Sequence, residues 1–540
     1  MSHVRNLLRA FLLVLATAVI ATSSGCGPTD SDQPANSGNS PSENSTDEPG
    51  TDEGDPGASN NAEDSTNSNR VAINGDLSSV DWDSLVDQEV QVTGELIVVD
   101  TYDLARRGQV KVARNRLYIP TNRIDPNDAD PNGNSFEGGS NVASVTAAQK
   151  LNDDGCFLLG DGLTEQNIFP PKLFPGLGTD YPTVRVGSSI AGVAGKVVRV
   201  EDRIVLVPDG PLQWEPYPRQ QRPDVGEADV TVASFNVLNY FTTIDDGGNG
   251  ARGADSDSEL QRQEAKIVTA IIALEADVVG LMELENNRAA EEQLVTALNR
   301  KIGEDVFRGC SLPDGFESAP GGDNAIRVGI IYRADRVTPL GDVSMIENEA
   351  FNVARTPLVQ SFQSNSTDNQ FTVIVNHFKS KGGSSSADAA NKDKGDGQGA
   401  YNVTRSAQSL AICNYVDGLG EGDPESRVLV IGDLNAYGQE DPIDAMRANG
   451  LVDLHERLNE GSDDRQENYS FIYYGQSGSL DHAMATESMA GDITGIATWH
   501  INADEPRFLD YNQEFNPESL FDADPFRSSD HDPVLIGIGN

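Results

Sequence analysis

Six short clusters of Asn, Asp, Glu and His stand where apolar, strand-like runs stop. Asn236 follows DVTVASF, Glu283 follows DVVGLM, and Asn376-His377 follow FTVIV. Gly432-Asp433-Leu434-Asn435 follow RVLVI, Asp481-His482 follow SGSL, and Ser529-Asp530-His531-Asp532 precede PVLIGI. One such cluster would be a turn or a helix cap. Six of them predict a single constellation on one rim of a sheet structure. The residue types set its chemistry: carboxylates hold a hard divalent cation, imidazoles move protons, and carboxamides make oriented hydrogen bonds. None of the six contains Cys, which excludes a soft thiolate metal centre there. Asp433 and Asn435 are two apart, so on an extended chain their side chains point the same way.

The elements that must carry these clusters alternate between strand and helix. Asp229–Phe235, Asp277–Met282, Arg327–Tyr332, Phe371–Val375, Arg427–Ile431 and Pro533–Ile538 read as strands. Glu259–Leu274 has helical spacing, with Ile267, Ile271 and Leu274 on one face, and Val403–Tyr415 reads as a second helix. This predicts a layered α/β unit over residues 226–540.

In order and spacing, SFNVLNY, LMELEN, VNHFKSKG, GDLNAY, SLDHAM and SSDHDPV resemble the endonuclease/exonuclease/phosphatase family, whose fold is deoxyribonuclease-I-like. HFKSKG followed by GQGAYNVTR is most similar to the branch that contains extracellular bacterial nucleases. The resemblance implies a four-layer α/β sandwich with two central, mostly antiparallel sheets. It implies that Glu283 and Asp530 bind Mg²⁺ or Mn²⁺ and that Asn236 helps hold the metal–phosphate assembly. Asp433 would orient the attacking water and Asn435 would hydrogen-bond the phosphate. His531, oriented by Asp481, would be the base or a phosphate-contacting imidazole. His377 would protonate the leaving oxygen or stabilise the transition state. The implied chemistry is in-line attack of water on phosphorus. For the family's carboxylate partner of His377 the candidate is Asp323, and Asn324 stands near the place of an aromatic phosphate contact. Glu285 is either a further metal ligand or a loop acid.

Around the rim, Lys379 and Lys381 read as phosphate-backbone contacts. Arg405 reads as a backbone contact or a cap. His482 reads as structural, and His455 and His500 as ordinary residues without acidic partners. Cys310 and Cys413 are candidates for a disulfide, leaving Cys156 over.

A second folded unit is expected over residues 70–222. Glu89–Val99, Gln109–Ile119 and Thr183–Val207 alternate in strand fashion, with no long helix in view. The order resembles the OB-fold-like domain that precedes the nuclease in some secreted bacterial nucleases, which implies a small OB-like β-barrel. It carries a local excess of positive charge: Arg106, Arg107, Lys111, Arg114 and Arg116, interleaved between Tyr102 and Tyr118. Such a strip suits a single-strand groove, and the bland alternative is a solvated strand face. Asp128–Asn134 matches the first half of a calcium loop, but Gly139 stands where the closing Glu belongs. Ca²⁺ is therefore a further candidate ion, against a plain Asn/Asp turn.

The first 26 residues have Arg5 and Arg9, the apolar run Ala10–Ala21, then Thr22-Ser23-Ser24-Gly25-Cys26. This reads as an export signal and is too short to span a bilayer. Cys26 resembles the lipidated cysteine of a lipobox, with Ser23 where Leu is usual. It would anchor the chain to a membrane, placing the protein at the cell surface or outside the cell. Residues 27–69 hold ten Asp/Glu, no Lys or Arg, and three Ala as their only hydrophobic residues, the composition of a flexible tether.

The 540 residues carry a formal charge of −46, which excludes a uniformly basic nucleic-acid-coating protein. Four Cys cannot staple a chain of this length, so a packed core must hold it. The leading expectation is an exported, metal-dependent nuclease acting on DNA before RNA. The alternatives are a phosphatase or phospholipase of the same fold, and a surface binding protein without catalysis.

Overall fold

The computed structural model describes residues 70–126, 141–179, 183–420, 426–458 and 468–539. The export signal, Cys26, the whole tether and the calcium-like loop at Asp128–Asn134 lie outside the described residues. No helix among the described residues is long and apolar enough to cross a membrane.

Two six-stranded sheets form the centre of the C-terminal half. One runs Phe307–Gly309, Ile326–Arg333, Val278–Glu285, Val230–Tyr240, Val534–Ile538, Ile493–Thr498. The other runs Val337–Met345, Leu358–Ser364, Gln370–His377, Val428–Asp433, Asp481–Ala485, Val452–Asp453. The central strands are continuous apolar runs because both their faces are covered. Val232, Val278 and Val328 of one sheet pack on Val373, Leu429 and Ile431 of the other. Helices Asp257–Leu274 and Arg288–Ile302 cover the outer face of the first sheet. Helices Asn402–Gly420 and Asp441–Ala448 cover that of the second. The result is the layered α/β sandwich expected from the sequence.

Each sheet is mostly antiparallel but contains one parallel pair at its centre. Val230–Tyr240 runs parallel to Val278–Glu285, and Gln370–His377 runs parallel to Val428–Asp433. A parallel pair brings two C-terminal strand ends together. These two pairs deliver Asn236 and Glu283 from one sheet, and His377 and Asp433 from the other.

Residues 71–215 build a nine-stranded sheet around Leu77, Val90, Leu96, Val112, Phe174 and Leu206. Its strands number more than a small OB-like barrel implies, and the helix Val142–Asp154 lies where no long helix was expected. That helix is mostly polar, with only Val145 buried, so it lacks an apolar stripe to read. Phe508, Leu509 and Leu520 from the far end of the chain complete this core. All the described residues accordingly belong to one compact unit. A further small sheet crosses between the halves: Leu117–Tyr118 pairs in parallel with Gln476–Gly478, which pairs with Phe471–Tyr473.

The expected Cys310–Cys413 disulfide is not formed. Both thiols are free and buried, Cys310 between the sheets and Cys413 under the helices of the second sheet.

Candidate active site

The rim is built by backbone features that re-aim side chains. The pairing of Val278–Glu285 slips between Leu281 and Leu284, and Glu283 takes φ +68°. Such a bulge turns a strand residue out of alternation. Glu283 then receives Asn236 Nδ2 at 3.2 Å and the Asn239 N–H at 3.0 Å. On the second sheet, His377 lies opposite Asp433, and Asp433 lies opposite Asp481, so the three form one row. Gly432 before them has φ +140°, and a Cβ there would sit 2.0 Å from the Asn376 carbonyl oxygen. Only glycine lets the two strands approach so closely.

Asp433 is the node. Its Oδ2 lies 3.4 Å from Asn236 Nδ2, 3.4 Å from His377 Nε2 and 4.0 Å from His531 Nε2. Its Oδ1 accepts the Asn435 N–H at 2.9 Å. Glu283 Oε1 lies 4.0 Å from His377 Nε2. His531 Nδ1 pairs with Asp481 Oδ2 at 2.8 Å, and the same oxygen accepts Ser470 Oγ at 2.6 Å. The structure therefore brings Asn236, Glu283, His377, Asp433, Asn435, Asp481 and His531 into one constellation.

Burial sets the electrostatics. It pushes the Asp433 carboxyl up to about 7, with Asp481 and Glu283 repelling in the same direction. Burial and then Asp530 raise Glu283 as well. Burial opposes protonation of His531, but Asp481, Asp433 and Asp530 outweigh it and hold that imidazole well above its usual range. Burial and nearby Arg355 hold His377 well below it. One histidine is thus kept charged and the other neutral.

Asn236 Oδ1 accepts the Leu238 N–H at 3.0 Å and its Nδ2 faces Glu283 and Asp433, so it orients these two carboxylates. The hard oxygens of Glu283 and Asp530 fit Mg²⁺ or Mn²⁺, since a small cation of this kind binds through one or two carboxylates and keeps several waters. The repulsion that raises Glu283 is what such a cation would relieve. Glu285 Oε2 accepts the N–H groups of Thr242 and Thr243 at 2.8 and 3.0 Å, as a loop acid would. Among the described residues, a separate acidic group, Asp255, Glu259 and Glu514, has ligand atoms all within 4.8 Å of one another.

The basic residues fare differently. Lys379, half-buried, holds its ammonium 4.3 Å from the Tyr401 ring centre, beside the rim. Lys381 is tied to Glu440 and to the Gln398 carbonyl, and burial lowers it to about 8. Arg405 is fully buried and donates to the carbonyls of Lys379, Gln398 and Ala400. Neither is placed to meet a substrate; together they shape the segment that carries Lys379.

The strip on the N-terminal half does not form an open groove. Arg106 donates to Gln166, Arg107 pairs with Glu201, and Lys111 donates to the Tyr474 carbonyl. Arg114 donates to the carbonyls of Gly75 and Glu95. Arg116 pairs with fully buried Asp504 at 2.8 Å. Of the five, Arg106 alone is exposed.

Asp323 is exposed and does not meet His377, whose buried Nδ1 has no hydrogen-bond partner among the described residues. His482 Nε2 donates to the Ala436 carbonyl at 2.8 Å. His500, expected to lack an acidic partner, pairs with Asp532 at 2.8 Å and stacks on Tyr469.

Three contributors were missed. Arg355 lies close enough to Glu283, Asp433 and His377 to bias all of them, and donates to the Phe378 carbonyl at 2.9 Å. Phe471 places its ring 4.7 Å from the His531 imidazole. Asn502 accepts the N–H groups of Ser528 and Ser529 and donates to the His531 carbonyl, fixing the SSDHD turn. Arg355 sits in NVARTPL, outside the strand-end pattern, and Asn502 follows a strand without an apolar run before it. Neither leaves a signal in local sequence.

The chain belongs to the Endonuclease/Exonuclease/phosphatase family, whose model matches residues 233–531 and so takes in all six clusters except Asp532. Members of this family are hydrolases acting on phosphoesters. No curated protein matches the sequence. Similar solved structures include the human Nocturnin catalytic domain with bound sulfate, 16% identical, covering 58% of this chain and 95% of that one, TM-score 0.37. A mannosyl-6-phosphatase from Bacteroides thetaiotaomicron is 16% identical and covers 58% of this chain and 100% of that one, TM-score 0.37. TDP2 from D. rerio, complexed with single strand DNA product, is 14% identical and covers 58% and 99%, TM-score 0.34.

Proposed function

We propose that this protein is an exported, metal-dependent phosphodiesterase that cleaves nucleic acid, with DNA as substrate and internal cleavage as its mode. The observation that carries the reading is the node at Asp433, reached within 3.4–4.0 Å by Asn236, His377 and His531 and flanked by Glu283. Asp433 orients the attacking water and accepts its proton. His531, kept charged by Asp481, offsets negative charge on the phosphoryl oxygens. His377 is neutral, and we assign its hydrogen to Nε2, the nitrogen that faces the carboxylates. It therefore stabilises the transition state by hydrogen bonding instead of acting as a charged acid. Asn435 gives one N–H to the Phe378 carbonyl at 3.2 Å and keeps the other for a phosphate oxygen. Glu283 and Asp530 would hold Mg²⁺ or Mn²⁺, which would supply positive charge against the negative charge developing on the phosphoryl oxygens.

Two cations at the rim, Lys379 and Arg355, support a phosphodiester backbone as substrate over a small phosphomonoester. Export, the lipid anchor at Cys26 and the 27–69 tether belong to this proposal and rest on the sequence. So does the OB-like reading of residues 70–222, with support of the site as its role. The test is purified full chain incubated with circular DNA, linear DNA, RNA and p-nitrophenyl phosphate, with and without EDTA. Divalent-dependent nicking of circular DNA is expected. Turnover of p-nitrophenyl phosphate with every nucleic acid left intact would replace the nuclease reading with a phosphatase.

A further inference from the structure

The hairpin behind the Asp481–His531 pair is not held by the sandwich alone. Its strands, Phe471–Tyr473 and Gln476–Gly478, have three residues each. An isolated two-stranded ribbon is marginal in water. Yet this ribbon supplies Ser470, whose Oγ donates to Asp481 and accepts the Leu480 and Asp481 N–H groups, each at 3.1 Å. It also supplies Phe471, whose ring lies 4.7 Å from the His531 imidazole at a tilt of 33°.

The N-terminal half provides the missing strand. Leu117 and Tyr118 pair with Gln476 and Ser477, and the Ile119 N–H donates to the Ser477 carbonyl at 3.0 Å. Asn122 then clamps both feet of the hairpin: its Oδ1 accepts the Ser479 N–H at 3.0 Å and its Nδ2 donates to the Asn468 carbonyl at 3.3 Å. Asn152, on the helix Val142–Asp154, bridges the Tyr118 carbonyl and Gln476 Oε1 at 2.8 and 2.6 Å. Ile119 packs with Phe471, Tyr437 and Leu480.

We propose that Asn122 and Asn152 are positioning residues for the Asp481–His531 pair, acting through the Ser470–Phe471 hairpin. The proposal rests on the role given to His531 above. It makes the N-terminal half part of the catalytic apparatus, although the matched family region begins only at residue 233. Misplacing a catalytic group by about 1 Å can cost on the order of 10²-fold in rate.

The test uses Asn122→Ala and Asn152→Ala in the full chain, each checked for fold by thermal melting. Both should lower kcat by roughly tenfold with KM nearly unchanged, a partial form of that misplacement loss. The His531 imidazole proton resonances, which feel the Phe471 ring current, should move in both. Folded variants with normal kcat, or with lowered kcat and unmoved His531 resonances, would overturn the proposal. So would unfolding of both, because the segment would then hold the fold and not the pair. A fully active His531→Ala enzyme would instead remove the functional reading on which this one stands.

Discussion

The rim at Asp433 and the strip from Arg106 to Arg116 both concentrate charge, and they use it in opposite ways. On the rim, like-charged acids are forced together in burial, and Asp433 is lifted to about 7 as a result. In the strip every cation has a protein partner, down to Arg116 on buried Asp504. Charge density along a sequence therefore does not identify a binding surface. What distinguishes a site is charge the fold leaves uncompensated, at a cost it would otherwise avoid.

The comparison breaks most sharply at Glu283. Glu283→Gln keeps the shape and removes the charge, and kcat should fall by on the order of 10²-fold or more as transition-state stabilisation is lost. Steady-state cleavage with added Mg²⁺ or Mn²⁺ checks this, and EDTA should abolish activity in the unaltered enzyme. His531→Ala and His377→Ala should each cost a similar factor. The double variant should be scarcely worse than the weaker single one, because groups that act as a unit are strongly non-additive. Additive losses would mean the two imidazoles serve separate steps.

A smaller effect lies in pH. Burial carries Asp433 from its ordinary 3.8 to about 7. Between those values the native chain holds a proton that the unfolded chain has released, so stability falls as pH rises through that window. Melting from pH 4 to pH 8 in EDTA should show this decline, and Asp433→Asn should flatten it. An unaltered slope in Asp433→Asn would place the uncompensated charge elsewhere.

How far the sequence revealed this molecule follows from range. Continuous apolar runs reported the central strands to within a few residues, because burial on both faces imposes a local pattern. The strand ends reported Glu283, His377, Asp433 and His531, because chemistry-bearing side chains stood where apolar runs stopped. Arg355, Phe471 and Asn502 were illegible because only tertiary contacts bring them to the rim. The strip was misread for the same reason: the partners of Arg107, Lys111 and Arg116 lie at Glu201, Tyr474 and Asp504, 94, 363 and 388 residues away. Leu117–Asn122 belonged by its pattern to the N-terminal half, and its partners at Gln476–Ser479 were likewise out of view.

The smallest expected effect decides the comparison from the other side. Arg106→Gln, Arg107→Gln and Lys111→Gln, combined, remove three charges of the strip and leave its buried members in place. If these groups serve the fold, KM for long DNA and its dependence on salt should stay as they were. A true phosphate track would lose about one unit of log–log salt slope for each contact removed. Arg116→Ala supplies the contrast within the strip itself. It removes one of two cations from the fully buried Asp504 carboxylate and leaves Arg185 at 3.7 Å and the Tyr469 hydroxyl at 2.9 Å, so the melting temperature should drop while the salt slope stays put. Lys379→Gln, a cation beside the rim, should instead raise KM and reduce the salt slope by about one unit. A triple variant that lost several units of slope would return the strip to the substrate, and uncompensated burial would no longer separate the two regions.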